Sequence, residues 1–329
     1  DVIVCRSQYH LESDIRDKIA LFCNVPKDSV MEAMDADTIY RVPLQLLEQG
    51  FDRLVLRRLG LPVGEVPDMD AWIRFLDRFT NPAGEVEIAM VGKYTSLKDS
   101  YLSVMEALTH AGTMNHVRVN LRSVEAEDVE EQGVEATLKG VQGVLVPGGF
   151  GSRGIEGKIA AAGYARRNRI PYLGRCLGLH VAAVEFARNV LGIAAAHSSE
   201  IDPGTPNPVI HLMEEQRHVS HLGGTMRLGT YPCALVPETL AQGAYGAEAV
   251  QERHRHRYEF NNDYRKRFSE AGFRVAGVYP EKDLVEILEM EGHPWFVGVQ
   301  FHPEFLSRPV RPHPLFREFV AAATRTKQG

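Results

Sequence analysis

The chain has 329 residues, 44% hydrophobic and 24% charged, which suits a globular protein of two domains or of one domain with a long extension. No run approaches the roughly 18 to 20 apolar residues of a membrane-spanning helix, and a net charge of -6 argues against a chain-wide attraction to nucleic acid or an anionic membrane. Cys5, Cys23, Cys176 and Cys233 are widely spread with no CxxC pair, so neither a disulfide framework nor a zinc site is expected, and the thiols read as those of a cytoplasmic protein.

The chain opens with "DVIVCRS", an apolar strand that is neither a signal nor a transit peptide and reads as a piece of something longer. Up to about residue 60, "DKIALFCNV" and "IYRVPLQLLEQGFDRLVLRRLG" carry apolar residues at the three- and four-residue spacing of helices. "GLPVGEVPDM" interrupts with Gly and Pro, and a helix, "DAWIRFLDRF", leads to a second break at "NPAGE". Residues 61–84 are therefore expected to link a segment 1–60 to a domain 85–329.

From Val86 strand and helix alternate. "VEIAMVG", "HVRVNLRSV", "GVLVPGG" and "IPYLG" read as strands; "LKDSYLSVMEALTHAG", "VEEQGVEATLKG", "GIEGKIAAAGYARRN" and "LGLHVAAVEFARNVL" read as helices. This predicts an α/β fold, a mostly parallel sheet flanked by helices, with ligands at the carboxyl ends of its strands. After about Gly192 strands and loops dominate, through "GTMRLGTYPCALV", "FRVAGVYP", "LVEILEM" and "PWFVGVQF", until "HPLFREFVAAATRT" closes the domain as a helix.

Gly174, Cys176 and Gly178 form GxCxG where a strand meets a helix, the thiol counterpart of the nucleophile elbow GxSxG. Small flanking residues suit that turn because strand and helix approach closely while the nucleophile is strained. The helix start favours a thiolate and aims backbone N–H groups at a developing oxyanion. On the pattern alone, Cys176 is either a nucleophile or a buried residue of a tight turn. In "VPGGFGSRG", Gly148, Gly149 and Gly151 let the backbone approach a ligand, and an N–H here could complete an oxyanion hole with that of Leu177; a plain turn or a phosphate loop reads the same way. In "VQFHPEF", His302 and Glu304 fit the base and the orienting group that a thiol needs, although 13 histidines make accidental HxE pairs common.

Taken in order, "PGGFG", "GRCLGLH" and "FHPEF" resemble the class I, or triad, glutamine amidotransferases. "MVGKYTSLKDSYLSVMEAL", "GGFGSRGIEGKIAAAGYAR", "GGTMRLG", "ERHRHRYEFNN" and "HPWFVGVQFHPEFLSRP" resemble the CTP synthase family, and "DVIVCRS", "KIALFCNV" and "IYRVPLQLLEQG" the last part of its synthetase domain. The resemblance implies a flavodoxin-like amidotransferase domain preceded by a short α/β remnant of the synthetase domain. It implies that Cys176 attacks the side-chain amide of L-glutamine to give a thioester and ammonia, with His302 as general base and acid and Glu304 orienting His302. Gly149, Leu177, Gly178, Leu179, His180, Glu200 and Arg257 match positions of the glutamine site, Glu200 reading the substrate's α-ammonium. Ammonia would pass to the synthetase domain, where UTP activated by ATP becomes CTP. Arg6 and Lys18 match positions near the UTP and CTP phosphates, and Asp35 with Ala36 an ATP contact. By the same resemblance the amidotransferase domain binds no cofactor, ATP and Mg2+ serve the full enzyme, GTP activates it near Gly223–Gly229, and the full enzyme is a homotetramer with no nucleic-acid or membrane partner.

The chain departs from that family pattern in four places. No GxxxxGK[ST] phosphate loop occurs, so the chain as given is not expected to use ATP in the family's manner. Arg175 stands where the family has an apolar residue, and is expected either to assist the thiol or to clash behind the elbow. "LGLH" replaces "LGMQ", so His180 stands in for a glutamine whose hydrogen bonds it can only partly reproduce; "HSSE" for "NSTE" beside Glu200 is milder. Two other readings compete with a glutaminase: a catalytically impaired binding module of the same fold, and a γ-glutamyl cysteine hydrolase.

Overall fold

The computed structural model describes residues 1–95, 98–212 and 226–326, and the chain divides into two compact units, Asp1–Asp77 and Arg78–Gly329. In the first unit strands β1 (Ile3–Ser7) and β2 (Val30–Met34) pair in parallel, accompanied by helices α1 (Ser13–Phe22), α2 (Val42–Glu48) and α3 (Phe51–Arg58). Helix α4 (Asp70–Thr80) begins in this unit, within the segment expected to be a linker. Its Trp72 and Phe75 meet the Tyr40 ring edge-on at 6.4 and 5.0 Å, and Trp72 Nε1 donates to the Tyr40 carbonyl at 2.7 Å.

The second unit begins with β3 (Gly84–Gly92), α5 (Leu102–Met114), β4 (Val117–Glu125), α6 (Ala126–Gln132), α7 (Val134–Leu138), β5 (Gly143–Val146), α8 (Ile155–Arg167), β6 (Tyr172–Arg175) and α9 (Leu177–Asn189). It continues through β7 (Ala196–Ser198), β8 (Asn207–Leu212), β9 (Arg227–Leu235), α10 (Leu240–Tyr245), β10 (Ala249–His256), β11 (Tyr258–Phe260) and α11 (Arg265–Glu270). It ends with β12 (Phe273–Tyr279), β13 (Leu284–Met290), β14 (Phe296–Val299) and α12 (Pro314–Thr326).

Nine strands form one mixed sheet in the order β10-β9-β12-β13-β14-β6-β5-β3-β4. From β14 to β4 every pairing is parallel, the product of the strand–helix alternation; from β10 to β14 every pairing is antiparallel. Every residue of β5, β6 and β14 is buried, as expected of central strands covered on both faces. Ile155, Ile159, Leu177 and Phe186 of α8 and α9 belong to one core layer, and Val104, Leu108, Leu315, Phe316 and Phe319 of α5 and α12 to the other. A small second sheet has the order β11-β8-β7. No helix among the described residues is long and apolar enough to cross a membrane.

Two helices read as continuous are each divided in two. Gly50 separates α2 from α3 and Gly133 separates α6 from α7, at φ of 74° and 89°, a backbone region that is costly for other residues and incompatible with a continuing helix. The reverse holds at Gly112, read as the end of a helix: α5 continues to Met114. A Cβ at Gly112 would come 2.8 Å from the Val117 carbonyl oxygen and from Val119 Cγ2, so this glycine serves the close approach of α5 to β4 rather than a helix end.

Candidate active site

Three adjacent parallel strands bring the motifs together. The glycine loop follows β5, Cys176 follows β6, and Gln300 to Glu304 follow β14, so all three lie at the same edge of the sheet. Cys176 is the residue before α9, with φ 51° and ψ -106°, a strained conformation for a side chain that costs on the order of 1–3 kcal/mol. It is held there by its own N–H donating to the Val299 carbonyl at 2.6 Å, and by its carbonyl accepting from Leu179 and His180 N–H at 3.0 and 3.3 Å. The GxCxG glycines have a steric cause. A Cβ at Gly178 would lie 2.2 Å from the Val146 carbonyl oxygen, and one at Gly174 2.6 Å from the backbone of Gly178.

His302 Nδ1 lies 3.0 Å from Glu304 Oε1, and its backbone N–H donates to the Arg253 carbonyl at 2.8 Å. His302 Cε1, Arg175 Nη1 and Cys176 Cβ converge on the Cβ position of Gly148, at 3.3, 3.4 and 3.4 Å. Burial opposes a charge on His302, but hydrogen bonding and charge from Cys176 and Glu304 outweigh it and push the imidazole up to about 9. The Nε2 atom itself has no partner of good hydrogen-bond geometry among the described residues. Burial would raise the Glu304 carboxyl; the Arg175 guanidinium and His302 prevail and hold it below the usual carboxylate range.

Arg175 does not clash behind the elbow. Its Nη1 donates to Glu304 Oε1 at 2.5 Å and lies 2.8 Å from His302 Nδ1. His180 donates from Nε2 to Gln300 Oε1 at 2.9 Å, and Gln300 Nε2 lies 3.9 Å from Cys176 Sγ. Burial pushes the His180 imidazole down to about 4, so the ring is neutral at pH 7, and its Nδ1 is a buried acceptor without a partner among the described residues.

A cavity of about 400 Å³ is lined by seven of the residues singled out in the sequence: Gly149, Cys176, Leu177, His180, Glu200, Arg257 and His302. Gly178 and Leu179 do not line it. Gly178 is packed on Val146, and Leu179 is buried in the core, where its Cδ1 would lie 3.1 Å from a Cβ at Gly298. Burial raises the Glu200 carboxyl, opposed by a backbone hydrogen bond from Gly151 and by the charges of Lys93 and Arg257. Lys93 Nζ donates to the Phe150 carbonyl at 2.9 Å and so braces the glycine loop.

Phe150, Met226, Arg255, His256 and Tyr258 also line the cavity; of these only Met226 falls in a stretch given a role by the resemblance, Gly223–Gly229, and that role is GTP activation. The alternation in "RHRHRYE" was the available signal: along β10, Glu252, His254 and His256 are buried while Arg253 and Arg255 are exposed. Within the stretch Gly223–Gly229, residues 223–225 lie outside the described residues. Of the rest, Arg227 is buried, paired with Glu286 and placed between the Tyr231 and Tyr279 rings at 4.4 Å from each.

In the first unit Arg6 Nε and Asp35 Oδ1 form an exposed ion pair at 3.0 Å, with Ala36 next in the chain, whereas Lys18 pairs with Asp14 at 3.5 Å. None of Arg6, Lys18, Asp35 and Ala36 lines that unit's described cavity of about 360 Å³, whose walls include His10, Arg16, Glu32 and Gln49.

Residues 96–322 match the family described as glutamine amidotransferase class-I, and residues 1–61 the one described as CTP synthase N-terminus. Among curated proteins the chain is similar to the CTP synthase of Carboxydothermus hydrogenoformans, 55% identical over 328 residues, and to that of Clostridium acetobutylicum, 52% identical over 328 residues. Each alignment takes in 100% of this chain, which spans 61% of the length of these relatives. Among solved structures it is similar to the glutaminase domain of Trypanosoma brucei CTPS with bound acivicin, with 38% identity, a TM-score of 0.69, and coverage of 73% of this chain and 94% of that one.

Proposed function

Because the chain belongs to the class-I glutamine amidotransferase family, we propose that it carries the glutamine-hydrolysing half of a CTP synthase, with Cys176, His302 and Glu304 as its catalytic residues. The observation that supports this most is the meeting of a strained cysteine at a helix start with His302, itself paired to Glu304, in one cavity that also holds the half-buried carboxylate of Glu200 and the Arg257 guanidinium.

The Cys176 thiol gives its proton to His302 Nε2, and the sulfur attacks the side-chain carbonyl carbon of L-glutamine. Backbone N–H groups of Gly149 and Leu177 bond the resulting oxyanion. His302 returns the proton to the departing nitrogen, ammonia leaves, and a thioester remains on Cys176. Water deprotonated by His302 then releases glutamate. Glu304 keeps the imidazole oriented throughout. Glu200 pairs with the α-ammonium of the substrate and Arg257 with its α-carboxylate, while His180 Nδ1 accepts a hydrogen bond from a substrate N–H.

In the longer protein the ammonia aminates UTP at the expense of ATP, with Arg6, Lys18, Asp35 and Ala36 contributing to the nucleotide site, GTP activating, four copies assembling and the enzyme working in the cytoplasm. The described residues do not by themselves fit an ATP–Mg2+ site: Arg6 and Lys18 are engaged with Asp35 and Asp14, and no group of three or more His, Cys, Asp or Glu side chains among the described residues could hold a metal ion.

The reading is tested by glutamate release from L-glutamine by the chain and by Cys176→Ser, with covalent labelling by a glutamine-analogue electrophile. Release and labelling by the parent alone are expected; labelling of neither, in folded protein, refutes it. One observation favours a second reading, an impaired binding module: Arg175 sits against both His302 and Glu304.

A further inference from the structure

Three polar atoms at the base of the site form a triangle. Arg175 Nη1 is 2.8 Å from His302 Nδ1 and 2.5 Å from Glu304 Oε1, and the last two are 3.0 Å apart. Arg175 and Glu304 are buried and His302 is largely so, with side-chain exposures of 8%, 1% and 12% respectively. The three edges cannot all be hydrogen bonds at once. The guanidinium only donates. Its contact with Nδ1 is a bond when Nδ1 is bare and a repulsion when Nδ1 carries a proton, whereas the contact of Nδ1 with Oε1 is a bond only when Nδ1 carries one.

The consequence reaches the thiol. A neutral imidazole has a single proton, so a ring with bare Nδ1 carries it on Nε2 and cannot accept another there from Cys176. A ring protonated at Nδ1 and directed at Glu304 has Nε2 free to take the thiol proton.

A second observation shows where the guanidinium goes in that alternative. Arg175 Nε and Glu304 Oε2 are both buried without partners among the described residues. A side-by-side, two-bond pairing of the guanidinium with Glu304 satisfies both and withdraws Arg175 from His302. Each arrangement thus completes what the other leaves unmade.

We propose that Arg175 is a positioning residue acting on Cys176 through His302: seated on Nδ1 it holds the imidazole in the tautomer that cannot accept the thiol proton, and paired with both oxygens of Glu304 it releases it. This rests on the catalytic roles proposed above for Cys176 and His302. The groups facing His302 are Arg175 and Cys176 at the end of β6, Glu304 on its own turn and His254 on β10, which is itself neutral because burial pushes it down to about 2. Of these, Cys176 and Glu304 favour an imidazolium, and Arg175 opposes it.

The test is the pH dependence of Cys176 alkylation by iodoacetamide, read on the full chain and on Arg175→Leu, with glutamate release measured in parallel. Removing a cation in contact with the imidazole is expected to move the acid limb of alkylation down by about one pH unit, raising the rate below the limb about tenfold. Arg175→Lys, which keeps the charge, is expected to stay near the parent. If Arg175 only neutralises Glu304, Arg175→Leu loses stability and turnover while its limb stays in place, and the proposal is overturned. A moved limb with no glutamate release from either protein refutes the glutaminase reading and keeps this one; release with an unmoved limb does the reverse. Should Arg175→Leu not fold, the ¹⁵N signals of the His302 ring in the parent, assigned by difference against His302→Gln, decide. At pH ~10, above the value of about 9 where the ring gives up its second proton, a bare Nδ1 with the proton on Nε2 is expected, and a neutral ring that keeps its proton on Nδ1 overturns the proposal.

Discussion

Replacing Gly178 by alanine is a substitution of one methyl group whose cost can be worked from the backbone. The new Cβ would lie 2.2 Å from the Val146 carbonyl oxygen and 3.2 Å from its carbon. Ordinary contact begins near 3.4 Å, so a separation of about 1 Å must open between α9 and β5. Strand β5 is paired on both sides, with β3 and β6, and every residue of it is buried; the start of α9 has to give way. That segment carries Cys176, Leu177 and His180. Overpacking of this kind costs about 1–3 kcal/mol, which for a unit of this size is a fall in Tm of roughly 2 to 12 °C. A displacement of about 1 Å between the nucleophile and the groups around it lowers turnover about 100-fold. Differential scanning calorimetry and glutamate release measure the two effects. Gly243→Ala in α10, where a Cβ meets nothing within 4 Å, is the control and should be neutral or slightly stabilising. A Gly178→Ala protein with parental Tm and parental glutamate release would refute the argument that close helix–strand approach positions the nucleophile.

Other outcomes follow from the same geometry. Glu304→Gln leaves the buried Arg175 without its carboxylate and His302 without a charged acceptor, and is expected to cost about 3–5 kcal/mol of stability together with most of the turnover, read by urea unfolding and glutamate release. Glu200→Gln removes the carboxylate proposed to meet the substrate's ammonium and should raise KM for glutamine about 10- to 100-fold with a smaller change in kcat. His180 is held neutral in the fold, pushed down from 6.5 to about 4 by burial, so the stability it supports is present above pH 6.5 and is lost as the pH falls toward 4. The loss is on the order of 3 kcal/mol, and His180→Gln should flatten the fall of Tm across that window; an unchanged slope would mean that the ring is already solvated.

Much of the parallel half of the sheet was legible because its strands and helices are consecutive in sequence. The alternation from β3 to α9 needs only local periodicity and short breaks to be read, and GxCxG is a local motif, although only Gly174 answers to a contact within its own strand–turn–helix unit while Gly178 answers to Val146 of the adjacent strand β5. What stayed hidden was of two kinds. Gly112, Gly50 and Gly133 look alike in sequence, yet one is a packing contact inside a helix and two are helix breaks, since the difference lies in φ and in what a Cβ would touch. The second kind is long-range pairing. Strand β14 lies beside β6, with Val299 opposite Arg175, although more than a hundred residues separate them in the chain. That register carries Gln300 to His180 and Glu304 to Arg175.

The types of residue available for chemistry were thus written in short stretches: a cysteine between two glycines, a glycine loop, and a histidine two residues before a glutamate. Their order along the chain matched the amidotransferase pattern, but their meeting at one edge of the sheet depends on the long-range pairing of β14 with β6. The tertiary structure alone decided that Arg175, conspicuous in the sequence only as a departure, reaches the His302–Glu304 pair, and that His180 is a neutral partner of Gln300. The reason is physical. Local periodicity reports which face of an element is buried, but hydrogen-bond partners across a sheet depend on register, which is settled by burial of the whole core and not by any one segment.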